Sequence, residues 1–143
     1  MVTIIQLLIG AVFCVVFVVV VRQAGVKREM RIYAVGLASS ALIYVGFALL
    51  GGAPRSWLIL EVGGFVLFSL VALLGLRRSM WFVVVGWAAH PVWDVVLHKV
   101  LSVGFVPEWY PVGCAGFDLL LAVYIARRVR EKRWLDTCSL ANR

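Results

Sequence analysis

Apolar residues run along this chain in long unbroken blocks, and most of its charges fall in the gaps between them. Five blocks stand out, at residues 2–21, 32–50, 57–76, 80–103 and 112–126. Each of the first four supplies about the 20 residues that a helix needs to cross a ~30 Å hydrocarbon core. The fifth is shorter, but Tyr110 and Pro111 before it and Arg127 after it can sit at the two interfaces. The runs are continuous and lack the alternation of a membrane barrel strand. The pattern therefore predicts an all-α polytopic membrane protein. It forms a single bundle of five transmembrane helices within residues 1–133, followed by a short polar tail, 134–143, that frays from Trp134.

Composition supports the same class. Hydrophobic residues make up 64% of the chain and charged ones 15%, against roughly 45–50% and 25% in a soluble domain. A water-soluble fold of this length could not hide so much apolar surface, whereas lipid as solvent removes the difficulty. The first block lacks a basic leader, is too long for a signal peptide and shows no small-x-small cleavage site, so it reads as the first membrane helix.

The net charge of +7 would suggest nucleic acid in a soluble protein. Here the positions of the charges decide. Arg22, Lys27, Arg28 and Arg31 lie between the first two blocks, Arg77 and Arg78 between the third and fourth. Arg127, Arg128, Arg130, Lys132, Arg133 and Arg143 follow the fifth. These are twelve of the fourteen Lys and Arg, all on one side if each block crosses once, and only Arg55 and Lys99 remain for the other. The positive-inside rule then places the N-terminus outside and the C-terminus in the cytoplasm. The basic stretch from Arg127 to Arg133 is explained by topology and anionic headgroups, with no nucleic-acid partner. Pro107-Glu108-Trp109-Tyr110-Pro111, Trp57 and Trp81 read as interfacial anchors, and Lys99 as a side chain snorkelling to the headgroups.

Some residues do not belong in hydrocarbon. Glu61, Asp94 and Asp118 lie within apolar blocks, as do both histidines, His90 and His98. An ionisable group at the bilayer centre costs on the order of 2.5–3.5 kcal/mol, which makes each a functional-site hypothesis. The predicted topology puts Glu61, Asp94, His98 and Asp118 at similar depth in the outer half of the bilayer, with His90 deeper. The spacing His90-x3-Asp94-x3-His98 sets all three on one helix face, each rotated ~40° from the last. The two histidines are roughly 12 Å apart on a straight helix and cannot both bind one ion. A single divalent metal would take Asp94 with one histidine, plus Glu61 or Asp118 from a neighbouring helix. Alternatively, Asp94 accepts a hydrogen bond from one imidazole and orients it. Pro91 should kink this helix beside His90, and Trp93 either flanks the pocket or faces lipid.

Gly63, Gly64, and the stretch Gly113-Cys114-Ala115-Gly116 permit close helix approach. Ser39, Ser40 and Tyr44 could add hydroxyls, Tyr44 being nearer the outer face. Cys14, Cys114 and Cys138 form no metal or disulfide pattern and read as small apolar residues. No Walker motif, dinucleotide fingerprint or nucleophile elbow occurs.

The stretch His90-Pro91-Val92-Trp93-Asp94, followed by Pro107 to Asp118 with its Phe117-Asp118 pair, resembles small bacterial integral membrane proteins of uncharacterised families. Those carry His-x-x-Trp-Asp in one helix and Phe-Asp in the next, over Gly86 to Tyr124 here. The resemblance implies a multi-pass protein of the bacterial cytoplasmic membrane and no particular activity. A more distant similarity, of chemistry alone, is to membrane isomerases and terpene cyclases with buried carboxylic acids.

Three functions fit these residues. The first is a membrane enzyme doing acid–base or metal-assisted chemistry on a lipid-soluble substrate. Glu61 or Asp118 would serve as acid or ligand, and Asp94 would pair with His98 or His90. The second is a proton- or ion-coupled carrier. The third is a structural or accessory subunit with a polar glue. Membrane lipids are the expected partners, and a homo-oligomer is compatible with all three.

Overall fold

The computed structural model describes residues 2–101 and 104–141, and the side chains of these except at 2, 26–27, 99–100 and 132–141. The described chain is all-α: α1 (Val2–Arg22), α2 (Val26–Leu50), α3 (Arg55–Arg77), α4 (Trp81–Asp94) and α5 (Tyr110–Ala141). α4 passes without a break into a π-helical turn, Val95–Val100.

The helix boundaries differ from the apolar blocks for local reasons. α2 starts six residues before the second block, because Lys27, Arg28, Glu29 and Met30 are good helix formers and Glu29 lies in the first turn, where its charge suits the helix dipole. α5 starts at Tyr110, with Pro111 in its first turn, where a missing N–H loses no bond. It also runs on past the apolar block and past Trp134 to Ala141, as charged residues continue a helix freely outside lipid. The fourth block ends in described structure at Leu101, and its predicted end at Val103 lies outside the described residues.

The helices neighbour one another in the order α1, α5, α4, α3, α2, and α1 and α2 touch only lightly. The bundle is thus a ring of helices with a seam between α1 and α2. The α1–α5 contact is the closest. A Cβ at Gly10 would run into the carbonyl oxygen of Gly113, and one at Gly116 into that of Leu7. Small residues let these two backbones touch, as in membrane helix pairs.

Tyr33, Ala34, Leu37, Ala41 and Tyr44 make one buried stripe of α2 at helical spacing. The outer surface is apolar instead: Ile4, Leu8, Val12, Val16 and Val20 of α1 are all exposed. Three helices, over Thr3–Arg22, Arg28–Leu50 and Arg55–Arg77, are long and apolar enough to cross a membrane. In the fourth block Asp94 marks the change from α to π bonding, which divides the run.

Candidate functional site

The five ionisable groups within the apolar blocks of the sequence are all buried: Glu61, His90, Asp94, His98 and Asp118. The structure sorts them into two pairings. His90 Nδ1 lies 2.9 Å from Asp118 Oδ2 on α5 and 3.2 Å from Asp94 Oδ2 one turn along α4. The contact with Asp118 is a hydrogen bond. The contact with Asp94 is close but poorly aligned, so that both Asp94 oxygens lack a hydrogen-bond partner. His98 Nε2 lies 3.1 Å from Glu61 Oε1 on α3, again without hydrogen-bond alignment.

The backbone explains this division. Pro91 lies inside α4, and the helix continues through it. The change comes one turn later, where Leu101 N donates to Val96 O, five residues back. π-turns are rare and recur at functional sites. Here the turn carries His98 on the segment that follows Asp94, against α3 and Tyr44. The ring of Tyr44 stacks on that of His98 with centroids 4.6 Å apart, and Trp57 and Phe105 complete the wall. Tyr44 also meets His90 edge-on at 5.9 Å. It therefore joins the two pairings, with its buried hydroxyl within reach of Asp94 and Cys114. On the other side, Phe68 lies edge-on to His90 at 4.9 Å, and Trp93 packs on Gly64.

The second nitrogen of His90 is also held. Nε2 lies 3.4 Å from Ser40 Oγ, and Ser40 donates to Leu37 O at 2.9 Å. Ser40 thus has a role at the site in addition to its bond within α2. Asp118 pairs with His90, and Lys99, a conceivable alternative partner, has its side chain outside the described residues. The three residues His90, Asp94 and Asp118 each offer one donor atom, all within 4.8 Å of one another, and could hold a metal ion. Of the donor sets left open by the sequence, Asp94 with His90 and Asp118 is the one brought together. Glu61 and His98 stand outside that set.

Two cavities border the cluster. A narrow one lined by Tyr44, Glu61, His90 and Trp93 has no room for a water molecule. The larger one has a volume of about 520 Å³ and lies in the α1–α2 seam. Ile9, Phe13, Phe17, Ile43, Trp87 and Phe117 give it apolar walls, and Ser39, Ser40, Cys114 and Asp118 are among its few polar lining residues. Ile9, Phe13 and Ile43 are also exposed on the outer surface, so the cavity opens sideways between the helices.

A further polar cluster lies outside the apolar blocks, at Glu29 in the gap between the first two. Glu29 is buried, and its Oε1 accepts from Tyr33 Oη at 3.1 Å and Tyr124 Oη at 2.9 Å. Its Oε2 accepts from Arg128 at 3.4 Å. The cluster ties the start of α2 to α5. Its signal was the i, i+4 spacing of Glu29 and Tyr33, visible only if α2 is begun before the apolar block.

These features define a class: an all-helical protein with membrane-length helices, a buried His/Asp cluster and an apolar cavity against it. The chain belongs to a family of unknown function, DUF6010, whose profile matches residues 1–131. That agrees with the uncharacterised families which the segment from Gly86 to Tyr124 resembles. No curated protein and no solved structure matches it.

Proposed function

We propose that this protein is a membrane enzyme that acts on a lipid-soluble substrate by acid–base or metal-assisted chemistry at His90, Asp94 and Asp118. One observation carries the reading. Asp118 and Ser40 line the seam cavity and are also the groups that touch the two nitrogens of His90. The reactive cluster and a pocket of substrate size therefore share a wall. At about 520 Å³ the cavity falls within the range of small-molecule sites. Its sideways opening suits a ligand that arrives from lipid, with its apolar part along Phe13, Phe17 and Ile43 and its polar end toward Asp118.

In this reading Asp118 exchanges a proton with the substrate and His90 restores its charge state from behind, while Asp94 stabilises the imidazole. The dry surroundings strengthen each of these electrostatic contacts. Glu61 and His98 lie away from the cavity and support the centre through Tyr44. The charge distribution favours five crossings of a bacterial cytoplasmic membrane, N-terminus out and C-terminus in, which puts the cluster in the outer half. A carrier finds less support, since Val83, Val84, Gly86 and Trp87 offer no polar step along α4 on the cytoplasmic side of His90.

The test compares total lipid-soluble extracts from cells carrying empty vector, the wild-type chain, Asp118→Asn, or Ile43→Trp, which fills the cavity mouth. The expected result is at least one species that the wild type raises or depletes and neither variant changes. Identical extracts from wild-type and vector cells would refute the proposal.

A further inference from the structure

The cluster of the proposed site poses a charge problem that can be argued without knowing the substrate. Asp94 and His90 are 0% exposed and Asp118 1%. Among the described residues, the ion pairs of both carboxylates are to His90 alone. Two carboxylates buried around one neutral imidazole carry two negative charges, and an uncompensated buried charge costs several kcal/mol. Two kinds of occupant restore neutrality. One is a single divalent cation. The other is a pair of protons, one on the imidazole and one on a carboxyl group.

The arrangement around the imidazole bears on both. Ser40 donates its only proton to Leu37 O, so toward His90 Nε2 it can only accept. With a proton on Nε2 toward Ser40, a neutral ring presents its lone pair at Nδ1 to Oδ2 of both aspartates, and the 2.9 Å contact with Asp118 then needs a proton or a cation between the two atoms. A ring nitrogen held this way by a hydrogen bond from its other nitrogen is the usual arrangement of a metal-bound histidine. The proton pair instead needs a carboxyl O–H with somewhere to donate. Asp94, the carboxyl group left over after Asp118 has bonded His90, makes no aligned hydrogen bond at either oxygen, and a proton there would have the Tyr44 hydroxyl within reach as its acceptor.

We propose that His90 Nδ1, an oxygen of Asp94 and an oxygen of Asp118 bind a first-row divalent cation such as Zn²⁺ or Mn²⁺. This deepens the enzyme reading and rests on it only for the role of the neighbouring cavity. The spacing of two donor pairs fits: donors ~2.0–2.2 Å from one cation lie about 2.8–3.6 Å apart, His90 Nδ1 lies 2.9 and 3.2 Å from the two carboxylates, and all three donor atoms lie within 4.8 Å of one another. One imidazole and two carboxylates suit Zn²⁺, Mn²⁺ or Fe²⁺ and not a thiolate-seeking metal. Three protein donors leave the coordination sphere open, as at catalytic metals. Asp118 sets that open side beside the cavity.

The experiment uses the full chain purified in detergent, stripped with chelator, dialysed against Zn²⁺ or Mn²⁺ and assayed by elemental mass spectrometry. Thermal unfolding is followed by tryptophan fluorescence. Wild type and Glu61→Gln should each retain about one ion per chain, and Asp94→Asn and His90→Ala should bind at least about tenfold more weakly. Variant folding is checked by far-UV circular dichroism and elution volume. The wild type also provides a readout free of any variant, since stripping should lower its Tm and either metal restore it. The proposal is overturned if the wild type takes up no stoichiometric metal and its Tm ignores both ions, the result a proton pair predicts. Asp94→Asn binding like the wild type would overturn it equally. A metal-free protein that still alters the lipid extract would leave the acid–base reading standing. A metal-loaded protein that alters nothing would overturn the enzyme and leave the metal site.

Discussion

His90→Leu isolates the electrostatic role of the cluster, because leucine roughly keeps the volume packed by Phe68 and Tyr44 while removing both nitrogens. The wild-type imidazole is the shared partner of two carboxylates, at 2.9 and 3.2 Å. Removing one partner of a buried pair costs about 3–5 kcal/mol, because the charge left behind is uncompensated. With two carboxylates stranded, the variant should lie at the upper end of that range. The triple variant His90→Leu, Asp94→Asn, Asp118→Asn removes the stranded charge as well and should recover about 2–3 kcal/mol through the non-additivity of groups in contact. The measurement is SDS-induced unfolding in mixed micelles, followed by tryptophan fluorescence, in chelator so that bound metal does not contribute. A cost below about 1 kcal/mol for His90→Leu, or a triple variant no more stable than the single, would refute the charge argument.

Other perturbations probe the rest of the bundle. Glu29→Ala strands the hydroxyls of Tyr33 and Tyr124 and should cost about 2–3 kcal/mol in the same assay, whereas Arg128→Ala, with a long bond and a partly exposed side chain, should cost under about 1 kcal/mol. Equal losses would mean that Arg128 carries the cluster. Tyr44→Phe removes a buried hydroxyl without a partner and should be neutral or stabilising by up to about 1 kcal/mol. A clear loss would show that the hydroxyl is bonded in the membrane. Gly116→Leu forces α1 off α5 and should cost at least about 1–3 kcal/mol. An unchanged unfolding curve would contradict the close α1–α5 crossing. Single cysteines at Arg78 and Glu108 in a background without the native cysteines should label from opposite sides of sealed vesicles. Labelling from one side would refute five crossings.

The helices were legible because hydrophobicity acts over twenty residues at a time. Their ends were less so. Residues 26–31 hold four charged side chains yet are helical, and this hid both the start of α2 and the burial of Glu29. That Glu61, His90, Asp94, His98 and Asp118 came from three successive apolar blocks could be read from the sequence. Which histidine met which carboxylate could not. That choice depends on how helices rotate about their axes when packed, and on a switch to π bonding after Asp94 that no residue type in Val95–Val100 announces. The cavity was also out of reach, since it exists because α1 leans on α5 through Gly10, Gly113 and Gly116 and leaves α2 uncovered.

The π-turn gives the site an unusual kind of modularity. A residue of α-helix turns the chain by about 100°, so losing one residue between Asp94 and His98 would swing the rest of that helix around the axis. His98 would leave Glu61 and Tyr44, while His90 and Asp94, which precede the turn, would keep their positions. The two histidines are thus mounted on either side of a rotary joint. A lineage could gain, lose or re-aim the outer pair by a one-codon insertion or deletion, with the inner centre left untouched.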